Sequence, residues 1–285
     1  MTFREALSGA AEKLRKAEIL FCDTPMLDAS VLLAEAADMS REKLFASYPD
    51  TVSPEVLAEY EKLLEKRLSG LPVSYIRNRK EFFGREFYVD SSVLVPRPDT
   101  EVIIEKALQL LERSSAVLDL CTGSGCIAAT LKLEQPDLSL TASDISKPAL
   151  TVASRNADAL DAKISFAESN LFENISGRFD MIVTNPPYLK TGETDGMTTS
   201  GWPEPMLALD GGGDGLDLIR IIIITSLDYL NDNGYLLIEA GPQQAEVISA
   251  LLQDAGFSDI EITHDMAGRN RVTSGRVCGT HNNEI

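Results

Sequence analysis

Apolar residues recur at helical spacing through residues 1–75 and then give way to short apolar runs. Phe3, Leu7, Ala10, Leu14 and Ala17 form one stripe, since side chains three or four positions apart share a helix face. Thr2 and Glu5 stand at capping-box spacing, where each end group satisfies an amide of the other. A second stripe, Leu27, Val31, Leu32, Leu33 and Ala36, follows Thr24-Pro25. A third runs from Ser53-Pro54 through Leu57, Tyr60, Leu64 and Leu68 to Gly70. Serine suits the cap, proline is harmless at the first helical position, and Gly70 followed by Pro72 stops the helix. No repeat is visible, so the pattern predicts a small helical bundle over residues 1–75. Residues 76–98 change character. Glu81-Phe82-Phe83-Gly84-Arg85-Glu86-Phe87-Tyr88-Val89 is aromatic and β-rich around a glycine, which predicts a hairpin linking the bundle to the rest. Pro96 and Pro98 then forbid a helix until Asp99 or Thr100 caps the next one.

From residue 116 the period alternates. Strands are predicted at 116–120, 138–143, 163–167, 179–184 and 235–239, and helices at 126–134, 146–160, 216–230 and 242–255. Ile221-Ile222-Ile223-Ile224 alone would read as a strand, but the length of its segment and the Asn233-Gly234 stop decide for helix. A closing antiparallel pair is expected at 257–263 and 271–278, and a long polar loop at 189–213. Strands separated by helices imply parallel crossovers, hence an α/β fold with an open, mostly parallel sheet in residues 99–285. Ligands of such sheets sit outside the carboxyl ends of the strands.

Charge narrows the partners. The chain of 285 residues has 26 Lys and Arg against 44 Asp and Glu, and residues 81–285 hold 14 and 31 of these. A nucleic acid would be repelled by that part, so none is expected as a direct substrate. Two histidines leave little for a His-built metal site, and no metal is expected. Cys22, Cys121, Cys126 and Cys278 show neither a C-x-x-C pair nor a disulfide framework, which fits a reducing compartment. No apolar run reaches the ~18 residues of a membrane span, and the N-terminus lacks a signal pattern. A cytoplasmic protein without membrane contact is the expectation. Arg77, Arg79 and Lys80 read as a solvated face; Lys62, Lys66 and Arg67 are candidates for an acidic partner.

Two segments carry chemistry. Asp119-Leu120-Cys121-Thr122-Gly123-Ser124-Gly125 ends the first strand of the sheet, and its glycines allow a tight turn and close approach to a ligand. The following helix aims its amide donors at the same place. Asp144 ends the next strand, where a carboxylate can accept both hydroxyls of a ribose. Gly123-x-Gly125-x-x-Ala128 also fits the dinucleotide fingerprint, so this loop leaves a nicotinamide cofactor and S-adenosylmethionine both open. The second segment is Asn185-Pro186-Pro187-Tyr188, directly after an apolar strand. Two prolines stiffen the backbone and supply no amide hydrogens. Their carbonyls and the Asn185 side chain therefore offer acceptors beside an aromatic ring, which suits a planar –NH₂ group of an amide or an exocyclic amine.

With these motifs the sequence resembles the HemK/PrmC family of protein-(glutamine-N5) methyltransferases. The resemblance extends over nearly the whole chain: the helical N-terminal segment, Glu81-Phe82-Phe83-Gly84, Pro96-Arg97-Pro98-Asp99-Thr100-Glu101, the 119–125 loop, Asp144-Ile145-Ser146, residues 185–188, Glu204-Pro205-x-x-Ala208-Leu209 and residues 211–216. It implies a seven-stranded Rossmann-like methyltransferase sheet behind an N-terminal substrate-recognition domain. It also implies methylation of the glutamine in the Gly-Gly-Gln motif of peptide chain release factors. S-adenosylmethionine would lie on Cys121, Thr122, Gly123, Ser124 and Gly125, with Asp144 on the ribose, Asn170 and Leu171 near the adenine, and Asn185 adjoining. Asn185, Pro186, Pro187, Tyr188 and Glu204 would meet the substrate, with Asn185, Pro186 and Tyr188 catalytic. Cys121 stands where the family often has Gly, and Asn170 where it usually has Asp, a neutral acceptor in place of a charged one. Asn-Pro-Pro-Tyr alone is shared with adenine- and guanine-amino methyltransferases acting on nucleic acid, which keeps that activity as the alternative.

Overall fold

The computed structural model describes residues 1–17, 19 and 22–278. The chain divides into two compact units, Met1–Arg79 with Thr199–Pro203, and Lys80–Thr198 with the chain from Glu204 on. The first is helical: α1 (Phe3–Lys16), α2 (Pro25–Ala36), α3 (Arg41–Ala46), α4 (Pro54–Leu68) and α5 (Val73–Arg77). The capping box forms as spaced, with the Thr2 hydroxyl accepting from the Glu5 amide and the Glu5 carboxylate accepting from the Thr2 amide. Phe3, Leu7, Leu14, Leu32, Leu33, Leu44, Tyr60 and Leu64 share one core. The buried Tyr60 hydroxyl donates to the Ala29 carbonyl at 3.0 Å, as a buried polar group requires. Leu27, expected in the stripe of α2, is 41% exposed. The cationic positions are also committed: Arg67 is buried on Asp28 at 2.8 Å, and Arg77 and Arg79 both pair with Glu35. Arg67 is therefore no contact point for an acidic partner, and Arg77 and Arg79 are ion-paired instead of purely solvated.

The second unit opens with a hairpin, β1 (Lys80–Phe82) and β2 (Arg85–Phe87). Phe82 and Phe87 meet edge to face at 6.0 Å and lie in the same core as Ile103, Leu131 and Val183. Two buried rings, each worth roughly 1.5–3 kcal/mol of burial, make the hairpin part of this unit and not a free linker. Next come α6 (Glu101–Leu110), β3 (Ala116–Leu120), α7 (Cys126–Glu134), β4 (Ser139–Asp144), α8 (Lys147–Ala159), β5 (Ser165–Glu168) and β6 (Phe179–Thr184). After α9 (Thr191–Thr199) follow α10 (Asp217–Tyr229), β7 (Leu230–Glu239), α11 (Ala245–Asp254), β8 (Phe257–His264) and β9 (Asn270–Val277). Ser146 caps α8, accepting from the Ala149 amide. The isoleucine run is helical, with Ile222 and Ile223 buried.

Seven strands form one sheet in the order β5-β4-β3-β6-β7-β9-β8, parallel except for β9, which runs antiparallel to β7 and β8. From β3 the chain winds outward through β4 to β5, then returns to place β6 on the other side of β3. The strand order thus reverses between β3 and β6, and such a reversal opens a crevice at the carboxyl ends. Three expectations need correction. The stretch 189–213 contains α9 and a short 3-10 turn, Met206–Ala208. Thr100 stands at the N-cap position of α6, as expected, but its side chain makes no capping bond: it donates to Glu239, and Asp99 pairs with Arg269 and Arg271. And β7 starts at Leu230, five residues before the apolar run, because Leu230 pairs with Phe179 across a bulge.

Candidate active site

The two motifs emerge side by side. Leu120 pairs with Thr184 at the ends of β3 and β6, and the Thr184 hydroxyl donates to the Leu120 carbonyl at 2.8 Å. The next residue on each strand is Cys121 or Asn185, so the loops leave the sheet from adjacent positions. Cys121 takes the left-handed conformation at φ 62°, unusual for a residue with a side chain. Asp119, fully buried, ties the turn together: one oxygen accepts from the Thr122 hydroxyl at 2.5 Å and from the Ala128 amide at 3.1 Å. Burial lifts its carboxyl to about 7, against the pull of those two bonds. Gly125 must be glycine, since φ is 78° and a Cβ there would stand 3.0 Å from the Ala153 Cβ of α8. Asn156, also on α8, donates to the Ser124 carbonyl at 2.8 Å and exchanges bonds with the backbone of Tyr88. Nothing in the sequence singled out Asn156; an asparagine buried on the inner face of an amphipathic helix is the signal that finds it.

Asp144 accepts from the Gly123 amide and the Ser146 amide, one oxygen each at 2.9 Å, and keeps lone pairs on both. Burial raises its carboxyl above the ordinary range despite these bonds. Asn170 is exposed, and its Nδ2 donates to Glu173 at 2.9 Å, which leaves its oxygen as the group available to a ligand.

These residues surround one cleft of about 1120 Å³, open solvent at its mouth included. Cys121, Thr122, Gly123, Ser124, Asp144, Asn170, Leu171, Asn185 and Pro187 line it, together with Arg97, Thr100, Ile127, Ile145 and Leu207. Gly125, Pro186, Tyr188 and Glu204 stand outside the lining. Glu204 is buried and spends its oxygens on the Val95 amide at 3.0 Å and on Arg97, which assigns it to holding the wall and not to substrate contact.

The 185–188 turn is fastened from behind. The Tyr188 carbonyl accepts from Gln244 at 2.9 Å, and residues 211–215 press on the same backbone. A Cβ on Gly211 would come within 2.6 Å of the Pro187 oxygen, and one on Gly215 would overlap the Tyr188 oxygen. Tyr188 is half-buried, its side chain packed on a core that holds Leu118, Ile182 and Leu236. Burial pushes its hydroxyl up, helped by the charge of Glu239. Asn185 Nδ2 faces the Thr100 hydroxyl at 3.4 Å, while its Oδ1 takes no bond from the described residues. The Pro186 carbonyl is likewise unengaged among them. Glu239, which no motif marked, ends β7 beside Asn185 and is 1% exposed. A lone acidic residue closing an apolar strand was the signal that could have found it.

Among the described residues no cluster of His, Cys, Asp or Glu could hold a metal ion, and no helix is long and apolar enough to cross a membrane. Residues 5–77 match the PrmC N-terminal domain and residues 99–201 the methyltransferase small domain. The release factor glutamine methyltransferase of Geobacter sulfurreducens is 39% identical over 88% of this chain and 89% of its own length. That of Koribacter versatilis is 38% identical over 97% of this chain and 99% of its own. In fold, the chain is similar to a methyltransferase from Pyrococcus furiosus at a TM-score of 0.53 and 18% identity, covering 70% of this chain and 92% of that one.

Proposed function

This chain belongs to the release factor glutamine methyltransferase family, and from that premise we propose that it methylates the side-chain amide nitrogen of the glutamine in the Gly-Gly-Gln motif of peptide chain release factors. The methyl donor is S-adenosylmethionine, which brings an electrophilic methyl group on a sulfonium. The cleft fits such a donor. The Gly123 side of the turn has nothing within 4 Å of where a Cβ would be, so a ligand can lie against bare backbone. Asp144 retains acceptors for two ribose hydroxyls, and Asn170 offers an oxygen to an exocyclic amine. Leu171 and Ile145 supply apolar surface beside it. Four free cysteines agree with a cytoplasmic setting.

The observation that carries the function is the acceptor pair at the end of β6. An amide nitrogen is a weak nucleophile because its lone pair is delocalised into the carbonyl. Asn185 Oδ1 and the Pro186 carbonyl accept its two N–H bonds, turn the nitrogen toward the donor and stabilise the positive charge that develops on it. Tyr188, half-buried beside that arc, is the wall assigned to the amide plane. No base is required, since the methylated nitrogen is acidic and releases its proton to water. Orientation is then the main contribution, for which well-aligned intramolecular reactions allow roughly 7–11 kcal/mol.

The test is incubation of the purified protein with methyl-labelled donor and a release factor. Label on the Gly-Gly-Gln glutamine is the expected result; label on nucleic acid, removable by nuclease, would refute the assignment.

A further inference from the structure

An asparagine amide can sit two ways. With its oxygen in the cleft, Asn185 accepts from an incoming –NH₂; turned over, it presents two N–H donors and repels the same group. Something has to choose, and the residues behind Asn185 have the required polarity. The Thr100 hydroxyl has one hydrogen, and at 3.1 Å it is given to Glu239 Oε1. Its oxygen is left only to accept, and what lies there at 3.4 Å is Asn185 Nδ2. A carboxylate at the end of this chain can do nothing but accept, so its charge sets the direction of both bonds in front of it.

The cost of placing Glu239 there is otherwise unexplained. It is 1% exposed, Thr100 is 2% exposed, and among the described residues no ion pair neutralises Glu239. Its second oxygen is buried without a hydrogen-bond partner. Arg271 on β9 contributes charge from a distance but binds Asp99 at 2.6 Å and Asp265 at 3.3 Å instead. Desolvating a carboxylate this far on hydrogen bonds alone, without an ion pair, is expensive, and apolar replacements are commonly as stable or better. We propose that Thr100 and Glu239 are positioning residues that lock the Asn185 amide with its oxygen facing the cleft, a role that rests on the glutamine-methylating function above.

The lock depends on the protonation of Glu239. Burial raises this carboxyl to about 7, against the Thr100 bond, Arg271 and Asn185, which favour the charge, while Asp99 opposes it. Tyr188 and Cys126 also face it, from the turn after β6 and from α7. Once protonated, Glu239 can itself donate to Thr100, whose hydrogen is then free to turn to Asn185 and let the amide invert. Methyl transfer therefore falls as pH drops through the neutral range.

Single-turnover methyl transfer to a release factor, with donor affinity measured by calorimetry, tests this on the full chain. Thr100→Val is expected to slow transfer about 10- to 100-fold, the scale of one lost orienting bond, with donor affinity unchanged, and Thr100→Ser to restore it. Glu239→Gln is expected to be slow and to lose the acid limb of the pH profile. Wild-type rates in Thr100→Val would overturn the proposal, as would an unchanged acid limb in Glu239→Gln should the valine variant fail to fold. Asn185→Ala separates the two levels. If it is inactive while Thr100→Val is normal, only the lock fails; if it is fully active, the function assigned to Asn185 fails and the lock with it.

Discussion

Arg97 reaches 107 residues along the chain to pair with Glu204 at 2.5 Å, and the Glu204 side chain is 2% exposed while that of Arg97 is 45% exposed. Glu204 also accepts from the Val95 amide, so it fastens the 95–97 segment next to Pro205, and Arg97 and Pro205 both line the cleft.

Arg97→Ala leaves that buried carboxylate short of a partner. Loss of a fully buried partner costs about 3–5 kcal/mol, and the exposure of Arg97 reduces the expectation to about 1–2 kcal/mol. Urea midpoints at constant slope measure it. Glu204→Gln, which can still accept from Val95, should lose less than Glu204→Ala. An Arg97→Ala midpoint equal to that of the wild type would show that the pair does not hold the wall.

Asp119 gives a pH test of the turn that precedes α7. Its carboxyl moves from 3.8 to about 7 on burial, so the folded state holds a proton that the unfolded state has released. Below about 4 both states are protonated and there is no penalty. Between about 4 and 7 the unfolded chain ionises first and this residue's contribution to stability falls; above 7 the penalty is complete. Asp119→Asn can keep both bonds on one oxygen and place its Nδ2 where Oδ1 has no partner. The variant should be the more stable protein at pH 8 and indistinguishable at pH 4. A stability difference independent of pH would remove Asp119 as its source.

Gly125→Ala combines two penalties. A left-handed residue with a Cβ costs roughly 1–2 kcal/mol, and the new carbon would crowd Ala153, 3.0 Å from its Cβ and 3.1 Å from its Cα. Ala153→Gly relieves the first contact alone. The double variant should recover part of the loss, with a coupling above ~0.5 kcal/mol. Strict additivity would mean that α8 has moved aside.

Much of the fold could be read from residue order because its elements are locally self-consistent. Ser146 caps, Ser53-Pro54 starts and β3 and β6 are mostly apolar, as strands covered on both faces tend to be. What escaped lacks a local signature. The helix Thr191–Thr199 is built of Thr, Gly and acidic residues with Met197 as its one apolar side chain, and it buries only Thr194, so no apolar stripe announces it. Asn231-Asp232-Asn233-Gly234 looks like a turn, yet β7 runs through it because Phe179 pairs with Leu230. Thr100 is spaced like a cap, but a buried carboxylate 139 residues away claims its hydroxyl. The cleft's two loops were legible as motifs, and Glu204 was marked by its motif but for substrate contact; its bracing role, like Asn156 and Glu239 altogether, acts across long separations that no local pattern encodes.

The packing of Gly211 and Gly215 on the Pro187 and Tyr188 backbone has a consequence for how the enzyme can vary. Main chain leans there on main chain, so the support beneath the 185–188 turn is written in peptide groups whose shape does not change with the alphabet of side chains. Neighbouring surface positions are free to drift toward new protein partners. The grip proposed for the reacting nitrogen stays the same as long as those two places carry no carbon branch.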